Sequence, residues 1–261
     1  MEIPALVGTE IVGIFGPVSS GKSWLIEQWI AMLERTVYID LGSSPKHNYP
    51  PQTEHIIGSP AAIATRLESN PYYYRLTYHV VNVPIDFYWV VNSLWVVGGA
   101  RYLFIDEVHR VLGGSIHPSG EMAIRYGRHR ILGIIGASQR IAEVDKLFTS
   151  QCRMVVLFYT PEERDIIKIA ANWGSAIADA VSQLRPCIYN DATQTVEQEP
   201  ECLVWVRGIG HKVFPLGSKI KSQQENEQLW VEHSAEVQRE QVVESSEPAF
   251  LTPEPSSEEN F

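Results

Sequence analysis

The string Gly16-Pro17-Val18-Ser19-Ser20-Gly21-Lys22-Ser23 fits the spacing G-x-x-x-x-G-K-[ST] at every fixed position. Its chemistry is that of an anion cradle. The glycines let the backbone curl so that several N–H groups and the start of a following helix face one phosphate. Lys22 is placed to reach the β- and γ-phosphates of a nucleoside triphosphate, and Ser23 to lend its hydroxyl to Mg2+. The plain alternative is a glycine-rich turn with no ligand.

Two further sets of residues could complete hydrolytic chemistry. Tyr102 to Glu107 (YLFIDE) is an apolar run ending in adjacent carboxylates. At the C-terminal end of a strand, where open α/β sheets bind their ligands, Asp106 would complete the Mg2+ shell. Glu107 would be the base that orients and polarises an attacking water. The competing reading is a solvated acid pair opening a helix, because acids favour helix N-termini. Gln139 follows the apolar run Ile131 to Ala137, where a neutral amide can donate to a γ-phosphate and accept from the water.

These groups need elements to hold them. Glu10 to Phe15 (EIVGIF) reads as a buried strand entering the glycine loop, and Trp24 to Leu33 as the helix leaving it. Further strands are expected at Thr36–Ile39, Tyr72–Val81, Arg101–Asp106, Ile131–Ala137, Arg153–Tyr159 and Cys202–Val206. Helices are expected from Ser59-Pro60 to Ser69, from Pro84 to a stop at Gly98-Gly99, from Pro161 to Asn172 and from Ser175 to Leu184. Residues 42–52, rich in Gly, Ser and Pro, read as an exposed loop. Strands alternating with helices define an α/β fold, a mostly parallel central sheet flanked by helices on both faces.

Composition sets the outer limits. An apolar fraction of 44% and an aromatic fraction of 10% describe an ordinary globular chain. The net charge of −10 is unevenly spread: residues 222–261 hold ten Glu and one Arg, which leaves 20 basic and 21 acidic residues in positions 1–221. The near-neutral body neither predicts nor excludes a nucleic-acid partner. Two regions follow: a motor-sized domain over 1–221 and an acidic, disordered tail over 222–261. Cys152, Cys187 and Cys202 contain no C-x-x-C pair and read as buried thiols, which fits a reducing cytoplasm. No basic start followed by an apolar h-region opens the sequence, so a signal peptide is not expected, and the apolar run Phe87 to Ala100 is too short to span a bilayer and reads as a buried helix.

The phosphate loop, the strand ending in Asp106-Glu107 and the run RHRILGIIGASQR ending at Arg140 together resemble the additional-strand branch of P-loop ATPases. Within that branch the chain is similar to the FtsK/HerA superfamily of DNA pumps, and most of all to the compact genome-packaging ATPases of membrane-containing, tailless viruses. The resemblance spans residues 8–215. It implies that the Gln139 strand lies between the phosphate-loop strand and the Asp106 strand. It implies an ATP- and Mg2+-dependent motor that moves double-stranded DNA into a preformed capsid, working as a ring, usually a hexamer, with ATP at subunit interfaces. An arginine from the neighbour would complete each site, since its fixed, always-charged fork can follow charge on phosphoryl oxygens. The candidates are Arg125, Arg128, Arg130 and Arg140, with Arg128 and Arg130 favoured. The same cluster, or Lys46 and His47, could touch the DNA backbone. Tyr72, Tyr73 and Tyr74 could stack on bases but read better as packing residues. The resemblance places the protein in the cytoplasm, that of the host for a viral chain, or with the virion. It also leaves room for a capsid or membrane-vertex partner.

Other readings of the same residues diverge on named features. A GTPase would need an N-K-x-D string, which is absent from the sequence. An ABC transport ATPase would carry its signature before the Asp-Glu strand, whereas the only similar string, Leu112 to Ser115, follows it. A nucleoside or nucleotide kinase would place an acid or arginine at its acceptor site. A phage morphogenesis ATPase shares the motor core but works at a membrane. A nucleotide-gated assembly switch would have no use for the water-polarising carboxylate of Glu107.

Overall fold

The computed structural model describes residues 6, 9–41, 53–57, 59–80, 83–97, 101–113, 118–190 and 195–216. The loop 42–52, the Gly98-Gly99 stop and the tail 222–261 lie outside them. Among the described residues nine strands form one sheet. In spatial order they are β11 (Gly210–Pro215), β10 (Glu201–Val206), β7 (Met154–Phe158), β1 (Ile11–Phe15), β6 (Leu132–Ser138), β5 (Arg101–Ile105), β2 (Arg35–Asp40), β4 (Tyr74–His79) and β3 (Glu54–Ile57). From β7 across to β3 every pairing is parallel; β10 runs antiparallel to both β7 and β11. A separate hairpin joins β8 (Ile188–Asn190) to β9 (Thr195–Gln198).

The central strands β1, β5, β6 and β7 read as continuous apolar runs because helices cover both of their faces. One face packs on α1 (Lys22–Met32) through Leu25, Ile26, Trp29 and Ile30, against Val12, Ile14, Phe104, Ile135 and Val156. The other buries α2 (Pro60–Ser69), α3 (Val83–Val97), α5 (Pro118–Tyr126), α7 (Glu163–Trp173) and α8 (Ser175–Ser182) around Val37, Leu103, Ile134 and Leu157. The short α4 (His109–Leu112) follows β5, and α6 (Lys146–Gln151), capped by the Asp145 carboxylate on the Leu147 N–H, precedes β7.

Several expectations need correction. The strand expected at Tyr72–Val81 is shorter, Tyr74–His79, because the Asn70 side chain accepts from the N–H groups of Tyr72 and Tyr73 and holds them in a turn. Tyr74 is a packing residue at 1% exposure, but Tyr72 and Tyr73 are exposed. α3 is buried on one side rather than all round, although it is apolar on both: Phe87, Val90, Val91 and Leu94 face the core, while Ile85, Tyr88, Trp89 and Val96 face outward. α7 begins at Glu163, not Pro161, since Thr160 Oγ1 first accepts the N–H of Glu162. Cys152 and Cys202 are buried, whereas Cys187 is only half-buried; all three are free. Sequence patterning did not anticipate the strands β3, β8, β9 and β11 or the helices α4 to α6, which apart from α5 are too short to show a period.

Candidate active site

The order β1-β6-β5 brings three strand ends to one rim. The register pairs Phe15 with Ser138 and Ile105 with Gly136, so the glycine loop, Asp106-Glu107 and Gln139 leave the sheet side by side. Backbone bonds tie the three exits together. Gly16 N–H donates to Ser138 O at 3.3 Å, Val108 N–H to Ala137 O at 2.7 Å, and Asp106 N–H to Ile39 O at 3.2 Å.

The loop has the shape an anion requires. Ser19 (φ 61°) and Gly21 (φ 105°) are left-handed, which turns the chain abruptly into α1. A Cβ at Gly16 would lie 2.6 Å from Phe158 Cβ and 2.9 Å from Ser20 Oγ, so only glycine fits under the loop. Gly21 occupies the N-cap of α1 and supplies no side-chain cap, which leaves the first N–H groups of the helix without intrahelical partners. Ser20 Oγ is buried without a hydrogen-bond partner among the described residues. Lys22, 8% exposed, donates from Nζ to Gly16 O and Pro17 O, each at 2.7 Å. Burial lowers its pKa, and the nearby Asp106 and Glu107 carboxylates oppose that shift. Uncapped amides, an orphaned hydroxyl and a buried ammonium make a donor set that suits a phosphate. Pro17, Val18 and Ser19 are exposed on the outer side of the loop, and the Ser23 side chain lies at the exposed first turn of α1.

Asp106 accepts from Tyr38 Oη at 3.1 Å and from the Glu107 N–H at 3.0 Å. Burial and repulsion from Glu107 nevertheless raise its pKa above the carboxylate range. Two adjacent acids with a buried lysine nearby are what a divalent cation would neutralise, and the oxygens of Ser23 and Asp106 suit Mg2+. No cluster of three or more His, Cys, Asp or Glu that could hold a metal occurs among the described residues. An ion here would therefore rest on one or two protein oxygens together with phosphate and water.

Glu107 is held in a left-handed conformation, φ 52°, a departure that costs a non-glycine residue about 1–3 kcal/mol and clusters at functional sites. Its Oε1 accepts from Gln139 Nε2 at 2.6 Å. Its buried Oε2 faces His109 Nδ1 at 3.3 Å, an ion-pair distance without hydrogen-bond geometry. His109 and Ser138, which touch each other at 3.0 Å, escaped the sequence reading as site residues. The one signal in the chain is the D-E-x-H spacing, which a helix start places beside the carboxylate.

The arginines separate into two groups. Arg125 pairs with Glu121 on its own helix at 2.8 Å, and Arg140 is bound to Asp165 at 2.9 Å and to Glu162 at 3.3 Å. Arg128 and Arg130 lie in a single 3-10 turn (Gly127–Arg130) that opens β6. Arg128 is exposed and makes no ion pair among the described residues; the Arg130 guanidinium sits 5.3 Å from the centre of the Trp95 ring. Both stand at the sheet rim opposite the phosphate loop, about 20 Å away along β6, and cannot reach the site of their own chain.

This strand order and loop define a P-loop NTPase fold with the additional strand inserted between the loop strand and the acid strand. The structure is similar to the genome packaging NTPase B204 from Sulfolobus turreted icosahedral virus 2 in complex with AMPPCP, with a TM-score of 0.64 and 20% identity, covering 81% of this chain and 100% of that one. The same protein in complex with sulfate gives 0.63 and 18% over 84% and 100%. B204, the DNA-packaging ATPase from Sulfolobus turreted icosahedral virus, gives 0.64 and 19% over 81% and 100%. No family profile and no curated protein matches the chain in sequence.

Proposed function

We propose that the protein is a Mg2+-dependent ATPase that drives double-stranded DNA into a viral capsid. The observation that carries the hydrolytic part is the juxtaposition of Lys22, Asp106, Glu107 and Gln139 on one rim. The shared fold and the genome-packaging function of the B204 proteins support the packaging part. Gly16 to Ser23 would wrap the phosphates, Lys22 leaving its own loop carbonyls to reach the β- and γ-phosphates. Ser23 and Asp106 would hold Mg2+, which when bound neutralises charge on the phosphate oxygens. Glu107 would orient and polarise water, a role its firm placement favours. Gln139, now bonded to Glu107, would exchange that partner for the γ-phosphate. Arg128 or Arg130 of a second copy would supply the missing cation, which requires a ring, and a hexamer has the geometry such motors use. No helix among the described residues is long and apolar enough to cross a membrane. A cytoplasmic site of action in the host and a capsid or membrane-vertex docking partner belong to the same proposal.

Glu107→Gln tests it. The variant should bind ATP as tightly as the parent and retain it, with turnover lowered by about 1000-fold or more, while the parent rate rises on adding duplex DNA. Parental turnover in Glu107→Gln would overturn the assignment of the base. A parent rate indifferent to DNA at low salt would favour a morphogenesis ATPase or an assembly switch.

A further inference from the structure

Glu107 has a neighbour at each end of its carboxylate, one hydrogen-bonded and one at ion-pair distance, and only the first belongs to the machinery described above. Gln139 takes Oε1; His109 Nδ1 stands 3.3 Å from Oε2 and 3.0 Å from Ser138 Oγ. The hydrogen-bond roles of this group can be counted. Ser138 Oγ donates to Arg140 O at 3.2 Å and accepts from the Arg140 N–H at 3.3 Å. When Ser138 gives its one proton to that carbonyl it accepts from His109, the tautomer with the hydrogen on Nδ1. In that tautomer the N–H bonds Ser138 Oγ, and Nδ1 stands at ion-pair distance from Glu107 Oε2 without a hydrogen bond to it. On the far side of the ring, Nε2 faces Glu143 Oε2 at 3.7 Å. Ser138 is itself fully buried at the end of β6, and its backbone carbonyl receives the Gly16 N–H of the phosphate loop. The imidazole is thus braced against the same strand end that anchors the loop.

We propose that His109 is the positioning residue for Glu107, aiming the carboxylate through Oε2 and keeping it in place when Gln139 turns to a bound γ-phosphate. This rests on Glu107 being the hydrolytic base. Without the brace, a side chain whose backbone is already held at a left-handed φ would keep only one partner, and would lose that partner at the moment of reaction. His109 touches neither water nor phosphate in this scheme, so its removal should disturb the rate and spare the binding of nucleotide.

The test compares three substitutions. His109→Ala should lower kcat by about tenfold to 100-fold while the affinity for a non-hydrolysable ATP analogue changes by less than about twofold. His109→Asn, whose amide nitrogen can take the place of Nδ1, should recover most of the rate; His109→Gln, whose amide reaches toward Glu143 instead, should not. A double-mutant cycle read by thermal unfolding, with Glu107→Gln and His109→Ala made singly and together without nucleotide, should be non-additive, because the two side chains interact in the resting protein. This second measurement needs no turnover, so it separates failure of the brace from failure of the ATPase reading. Parental kcat in His109→Ala, equal losses in the Ala and Asn variants, or strict additivity in the cycle would each overturn the proposal.

Discussion

The two rims of the central sheet treat their charges in opposite ways. At the rim where β1, β6 and β5 end, the charged groups of the candidate site meet partners from their own chain, while Arg110 on α4 is exposed with no ion pair among the described residues. Lys22 bonds loop carbonyls, Asp106 meets Tyr38, Glu107 meets Gln139 and His109, and Arg140 is bound by Asp165 and Glu162. At the rim where β6 begins, Arg128 and Arg130 stand exposed; the Arg130 guanidinium lies against the Trp95 ring, and the buried Arg101 donates to the Arg130 carbonyl. The first rim is preorganised by these contacts. The second has free cations and no cis substrate. A hydrolytic site that develops charge on phosphoryl oxygens gains most from an arginine fork, and the Arg128 and Arg130 forks lie on the far side of their own sheet. The arrangement makes sense when one copy's second rim meets another copy's first.

The largest effect that would break this comparison comes from the exposed arginines. Of Arg128→Ala and Arg130→Ala, one should lower turnover by about 1000-fold, the loss expected for an arginine acting on a transferred phosphoryl group. Mixing should then distinguish rim from rim. Lys22→Ala subunits, which lack a working phosphate loop but keep the arginines, should restore part of the activity when added to the inactive arginine variant. Parental rates in both single variants would leave the second rim without a role in hydrolysis.

A smaller effect contrasts glycines at the two rims. Gly21 has φ 105°, and a Cβ there would lie 2.2 Å from Leu216 Cδ2; Gly127 needs no positive φ, and its Cβ would come no nearer than 3.3 Å to Leu132 O. The Leu216 methyl can swing aside, so the backbone conformation decides the outcome. Gly21→Ala should cost about 1–3 kcal/mol of stability, read as a drop of several degrees in Tm. Gly127→Ala should cost less, and equal costs would show that the loop is not held in the strained turn.

What the sequence disclosed follows the same division. Phe15, Ile105 and Ala137 each close an apolar run that helices bury on both sides, so the strands, and the functional residues just after them, could be read from pattern alone. The strand at Glu54–Ile57 is short, lies on the sheet edge and is mostly exposed, which erases the alternation that marks a strand. His109 was illegible for another reason. Its role depends on Ser138 in a different strand, and only the crossover that puts β6 beside β5 brings the two together. The arginines were legible as a cluster, but not as a cluster facing away from their own site.

The smallest expected effect is also the most specific to the preorganised rim. Burial and Glu107 raise the pKa of Asp106, while the Tyr38 hydroxyl and the Glu107 N–H work in the opposite direction by bonding the charged form. A carboxyl whose folded pKa exceeds its unfolded value costs the fold stability as pH rises through that interval, and the cost is complete above the raised value. Tyr38→Phe removes one of the bonds that favour the anion and therefore raises the pKa further. The cost at neutral pH should grow, and the acid limb of kcat/KM, which on the proposed role of Asp106 needs its carboxylate to hold Mg2+, should move to higher pH. At neutral pH the rate itself should fall by about tenfold or less. A limb that stays in place would mean that Tyr38 packs beside Asp106 without tuning it, and that the order of this rim comes from the backbone ties to Ile39 and Ala137 alone.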